Sequence, residues 1–208
     1  MADFDIEAKV NYGNIKNLVQ AMSKQINVKV GLLANKPGLG GFKGSDELTK
    51  DLDIAGNGAV QEFGCDIEIT DKMRKFLHAK AKELGLPKLE KKGDGYIHIP
   101  ARSWLQMPLQ HNNGQDLRNK ITKNLKTYSG HSKKDAIEYI VKSGDFASLG
   151  VAIGAAAQEQ IIEAFATEGW GEWKPNSPYT IAQKGSSMPL VNFGKLNGAV
   201  TFEVVNNG

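Results

Sequence analysis

The sequence predicts an α+β fold: a single small, mostly antiparallel sheet packed against a long helix, with additional helices and long loops. Three observations predict it. An apolar stripe runs continuously through residues 145–167, strand-like alternation is confined to short stretches, and helices and strands do not alternate regularly as a parallel sheet requires. The 208 residues, 40% of them apolar and 24% charged, suit a packed core, and we read residues 1–208 as a single domain.

Residues 11–25 set Tyr12, Ile15, Leu18, Val19 and Met22 at helical spacing, which predicts a short amphipathic helix. Val28, Val30 and Leu32 alternate with Lys29 and Gly31, a half-buried strand. A glycine-rich loop covers 35–46. The spacing of Ile54, Ala55, Ala59, Val60 and Phe63 predicts a helix over 53–63 that stops at Gly64 in a left-handed cap. Thr70 caps a further helix, Asp71 to Leu84, with Met73, Phe76, Leu77, Ala81 and Leu84 as its apolar stripe. Its other face carries Lys72, Arg74, Lys75, Lys80 and Lys82. Tyr96 to Ile99 form a strand ended by Pro100.

Leu117, Ile121, Leu125 and Tyr128 mark a second basic helix, with Arg118, Lys120, Lys123 and Lys126 off the stripe. In the long helix, Phe146, Leu149, Ile153, Ala157, Ile161 and Ala164 face one way. Gly150 and Gly154 on that stripe predict a helix laid tightly on a sheet. Beyond Gly169 the chain reads as irregular, an extended arm over 169–191 in which Lys184 and Gly185 make a turn. Val200, Phe202 and Val204 then mark a last strand.

Net charge is only +3, but it is segregated: −3 over 1–70, +10 over 71–134, −6 over 135–172 and +2 over 173–208. The basic block could meet phosphate, and equally could be a pair of solvated helix faces or the complement of the acidic block on a neighbouring copy. The lone cysteine, Cys65, suits a reducing compartment and excludes an intrachain disulfide framework. No apolar run reaches the length of a membrane span, and the N-terminus lacks the features of a secretory signal, so a soluble intracellular product is expected.

Catalytic chemistry finds no support. His78, His98, His111 and His131 have no metal-site spacing, and His98 reads as a solvent-facing or hydrogen-bonded strand residue. Acidic Asp66 beside Cys65 does not favour a thiolate. The stretch Pro37 to Ser45 lacks the order of a phosphate-binding loop, because Gly44 separates Lys43 from Ser45. Asp51 and Asp53 alone make a solvated turn rather than a metal site.

Several phrases, in order over about residues 28–205, resemble a known family. They are Val28-Lys-Val30-Gly31-Leu-Leu, Ile54-Ala55 leading to Gln61-Glu62-Phe63-Gly64, Ile69-Thr-Asp-Lys-Met-Arg74, and Ile99-Pro-Ala-Arg102-Ser-Trp104-Leu105. The longest is Trp173-Lys-Pro175-Asn-Ser-Pro178-Tyr-Thr180-Ile181-Ala-Gln-Lys184-Gly185-Ser-Ser-Met-Pro189-Leu190, followed by Asn192-Phe-Gly-Lys-Leu196. Together they are similar to the virion morphogenesis proteins of tailed bacteriophages, also called tail completion, minor tail or neck proteins. Ser103 and Phe193 stand where that pattern commonly has Pro and Thr. The loop at 35–52 and the lysine-rich stretch at 85–95 look like insertions.

The resemblance implies a non-enzymatic structural protein with no metal or cofactor, made in the host cytoplasm and located in the virion neck or tail. It would form a homo-oligomeric ring, six- or twelve-fold, against connector, tail-terminator or tail-tube proteins, with genomic DNA passing through the lumen and no membrane involved. Candidate contact residues are Arg102 and Trp104, after the strand-ending Pro100, with Trp170, Trp173, Tyr179 and Lys184 in the long loop. Trp104 reads first as core, as large buried aromatic area, and the loop equally as one folded over its own domain. Lys120, Lys123 and Lys126 are candidates for lining the lumen or for pairing with the acidic block. The alternative is a sequence-neutral DNA-binding module using residues 71–134.

Overall fold

A computed structural model describes residues 26–33, 54–87, 95–191 and 194–206. The expected helix at 11–25, the loop at 35–46, Asp51, Asp53, Phe193 and most of the two expected insertions lie outside the described residues.

The architecture is α+β, built around one long helix. Strand β1 (Ile26–Gly31) pairs antiparallel with β4 (Thr201–Asn206), Val28 opposite Val204 and Val30 opposite Phe202. The long helix, α6 (Phe146–Ala166), lies across this ladder. Its two glycines make the approach possible. A Cβ on Gly154 would fall 2.1 Å from the Phe202 ring, and one on Gly150 would fall 2.6 Å from Val204 Cγ1. Here the expectation from spacing and the packing agree: the glycines let the helix sit directly on the strand side chains.

The single expected sheet is, among the described residues, two separate two-stranded ladders. Strand β2 (Cys65–Glu68) pairs antiparallel with β3 (Tyr96–Ile99), and no hydrogen bonding joins this pair to β1 and β4. His98 accordingly sits exposed on β3, its Nδ1 2.6 Å from Asp66 Oδ1 across the ladder. Strand β2 was not read from the sequence, because four residues with one strongly apolar side chain give too little alternation to register.

Helix α1 (Ile54–Phe63) precedes β2, and α2 (Asp71–Glu83) lies between β2 and β3. Thr70 caps α2 as expected, its Oγ1 accepting from the Met73 N–H. A short helix α3 (Gln106–Gln110) and a 3-10 turn lead into α4 (Gln115–Ser129), which packs along α6. Helix α5 (Lys133–Ser143) returns against both; Leu125, Ile140 and Ala152 close a small core there. Tyr128, expected on the apolar stripe of α4, is instead 48% exposed. The larger core gathers Trp104, Ile161, Ala164, Phe165, Trp173 and Val200.

The segment after α6 is not an extended arm. Glu168, Gly169, Trp170 and Gly171 all adopt left-handed backbone, which reverses the chain and brings Trp173 edge-on to Phe165, 5.6 Å between ring centres. Helix α7 (Pro178–Lys184) follows, with Ser177 as N-cap, proline at its first position and Gly185 as left-handed C-cap. A four-residue helix α8 (Lys195–Gly198) precedes β4.

Candidate functional site

Three phrases that lie far apart in the sequence meet in one buried polar hub. At its centre is Glu62, buried on the inner face of α1. One carboxylate oxygen accepts from the backbone N–H groups of Trp104 and Leu105 at 2.7 and 2.8 Å. The other accepts from the Ser103 hydroxyl at 2.7 Å and the Gln106 N–H at 3.1 Å. These N–H groups open α3, so Glu62 supplies from another element the N-terminal cap that the Leu105 side chain cannot. Ser103 Oγ in turn accepts from the Met107 N–H. Its hydroxyl is committed to holding this turn.

Arg102 forms the second spoke. Its guanidinium donates to the carbonyls of Lys174 and Pro175 at 2.6 and 2.9 Å and to Gln61 Oε1 at 3.2 Å, while its own N–H donates to the Gln61 carbonyl at 2.7 Å. Burial holds the guanidinium below its ordinary value. Trp104 and Trp173 complete the hub. The Trp104 indole N–H donates to the Gly58 carbonyl at 2.8 Å, and that of Trp173 to the Ser103 carbonyl at 3.2 Å. Gly58 lets the ring sit close, since a Cβ there would lie 3.1 Å from the Trp104 ring and 3.0 Å from Leu32.

The candidate contact residues are therefore distributed differently from expectation. Arg102, Trp104 and Trp173 are 6%, 3% and 6% exposed, held by bonds within their own chain, and cannot meet a neighbour directly. Trp170 is half-buried and stacks on His111 with ring centres 3.8 Å apart. Tyr179 is partly buried on α7. Lys184 donates to the Met188 carbonyl at 2.6 Å, and desolvation, then the nearby Arg102 charge, lowers its ammonium below the ordinary lysine value. The key residue missed from the sequence is Glu62. The signal was present: it is the sole charge in an otherwise uncharged ten-residue helix.

The charge-pairing lysines also take up a different role. Lys120 lies 2.7 Å from Glu163 and 3.9 Å from Glu159, and Lys123 lies 3.4 Å from Glu159, all along the α4–α6 contact. Part of the basic block thus meets part of the acidic block inside one chain. Lys126 is exposed.

Two outward features remain. Helix α1 turns Ala55, Ala59 and Phe63 to solvent, with Phe63 76% exposed, and Ile54, Gly58 and Glu62 to the interior. Of the apolar face expected from Ile54, Ala55, Ala59, Val60 and Phe63, Ile54 is buried and Ala55, Ala59 and Phe63 are exposed, because the hub claims Glu62 and the close approach of Trp104 claims Gly58. The second feature is a shallow cleft of about 360 Å³ lined by Ser103, Gln106, His111, Asn112, Asn113 and Glu172 among others. There His111 Nδ1 lies 2.7 Å from Asp116 Oδ2. Among the described residues no group of His, Cys, Asp or Glu side chains could hold a metal ion, and no helix is long and apolar enough to cross a membrane. No protein-family model, curated protein or solved structure matches the chain.

Proposed function

We propose that the chain is a non-enzymatic structural component of a phage neck or tail end, completing the tail or joining head and tail within a homo-oligomeric ring. The observation that carries this reading is the apolar outer face of α1. A helix whose only charge is buried, and whose outer face is Ala55, Ala59 and Phe63, leaves an apolar strip in water unless another surface covers it. Rigidity adds to its value as a contact. Gln61 and Glu62 are bound into the hub, and Gly64 ends the helix so closely against the Ile99 carbonyl and the Ala101 N–H that a Cβ would lie 2.8 Å from each. The backbone that carries Phe63 is thus held in place, which limits the ordering cost of binding. The two small alanines allow a neighbouring backbone to come close.

The resemblance to phage morphogenesis proteins supports a second copy as the occupant, in a head-to-tail contact that closes into a ring. Connector, tail-terminator or tail-tube proteins would then meet the rim of that ring. The intrachain pairing of Lys120 and Lys123 with Glu159 and Glu163 favours an apolar over an ionic contact between copies.

The test is the mass distribution of the purified full chain by analytical ultracentrifugation and negative-stain imaging. Wild type is expected to form rings that persist in high salt. Phe63→Asp, outside the core, is expected to stay folded by circular dichroism and to sediment as a monomer. Rings unaffected by that change would remove α1 from the contact. A protein that never assembles, and antibody labelling of virions away from the neck and tail, would overturn the reading.

A further inference from the structure

We propose that the outer face of α2 is a sequence-neutral contact for the phosphate backbone of double-stranded DNA, a role that stands whether or not the chain closes into a ring. Two helices in the basic block invite this assignment, and their surroundings separate them. In α4, Lys120 and Lys123 already face Glu159 and Glu163. In α2, Leu77 and Ala81 are buried, while Lys72, Lys75, Ala79 and Lys82 lie exposed. Among the described residues nothing acidic pairs with Lys72, Lys75 or Lys82; the acid of the last turn, Glu83, is bound to Lys80 at 2.6 Å. Arg74 and His78 flank the strip and are partly exposed.

The geometry suits a duplex backbone. Ten residues separate Lys72 from Lys82, a rise of about 15 Å along the helix, which passes about four phosphates of one strand at 3.4 Å each. Topology sets the strip apart from the rest of the molecule. The Ile69 N–H donates to the Gly95 carbonyl at 2.7 Å, closing the end of the β2–β3 ladder, and α2 leaves from that end. Over residues 69–87 the sequence carries five basic residues against two acidic ones.

The strip's chemistry selects among polyanions. Its exposed positions hold no aromatic ring on which bases could stack, which disfavours single strands. It offers no large apolar side chain to insert below lipid headgroups, which disfavours an anionic membrane. Lysine point charges without a bidentate arginine pair bind phosphate without reading bases.

The experiment is fluorescence anisotropy of the full chain with a random-sequence duplex of about 30 base pairs, titrated over about 50–200 mM salt. Wild type is expected to bind at low salt with a steep salt dependence. The triple variant Lys72→Gln, Lys75→Gln, Lys82→Gln should lower the log–log slope by about 2–3, near 0.9 per lost phosphate contact, and weaken low-salt binding at least about tenfold. Lys120→Gln with Lys123→Gln should leave the slope unchanged, with circular dichroism verifying that both variants are folded. Absence of wild-type binding at low salt, or equal slopes for wild type and the triple variant, would overturn the proposal. So would a triple variant that loses binding to phosphatidylserine vesicles while keeping that to DNA.

Discussion

Helices α2 and α4 have much the same sequence signature, an apolar stripe with lysines opposite it, and they end in different electrical surroundings. The lysines of α4 at 120 and 123 meet glutamates of α6, whereas those of α2 at 72, 75 and 82 meet no acid among the described residues. Charge segregated along a chain is therefore not charge segregated on its surface. A +10 block beside a −6 block is partly neutralised by folding once α4 packs on α6, while the lysines of α2 outside that contact keep their charge. Helix α1 repeats the lesson with polarity in place of charge, since its one carboxylate points inward beside Ile54 while Ala55, Ala59 and Phe63 point outward.

The sharpest way to break this contrast is at Glu62. Glu62→Ala would strip a buried turn of an acceptor serving three N–H groups and one hydroxyl. We expect a loss of about 3 kcal/mol or more in unfolding free energy by urea denaturation, because each donor left unpaired carries its own desolvation cost. A loss under about 0.5 kcal/mol, the range of ordinary surface substitutions, would mean that α1 does not depend on its inward charge.

A smaller effect separates the two basic helices. Lys120→Gln should cost about 0.5–1 kcal/mol, since its ion pair with Glu163 is only partly shielded from water. Lys72→Gln should change stability by less than about 0.5 kcal/mol in the same assay. Equal costs would erase the distinction between them.

The smallest effect lies at the start of α4 and is read against pH. Hydrogen bonds from Asn112, then from His111, hold the Asp116 carboxyl below its ordinary value. Such a carboxyl binds protons more readily in the unfolded chain than in the folded one. Its contribution is therefore complete above the ordinary aspartate value of about 3.9 and disappears as pH falls through the lowered folded value. Urea midpoints of wild type should fall over that acid window, and those of Asp116→Asn should fall less. Parallel curves would show that the pair with His111 does not contribute.

Much of the fold was legible because its causes are local. The cap at Thr70, the left-handed stop at Gly64, the alternation in β1 and β4 and the stripe of α6 with its two glycines all depend on neighbouring residues. Local signals were also overlooked. Ser132 caps α5 three residues before Asp135, and Ser177, Pro178 and Gly185 bracket α7, yet the family-like phrase there reads as a loop. The candidate site was less legible. Trp104 went to the core, as an aromatic first of all does, but so did Arg102 and Trp173, which local sequence marked only as contact candidates.

By itself, then, the sequence determined the bounds of those helices and strands whose caps and periodicity are local, that one helix must press closely on a ladder, and how much charge each stretch carries. Only the tertiary structure decided which face of α1 is outside, which lysines find acids, and that distant phrases share one carboxylate. The physical reason is the range of the interactions. Caps, turns and periodicity act within a few residues, whereas a buried hydrogen bond or an ion pair exists only after the chain has brought together groups some forty positions apart.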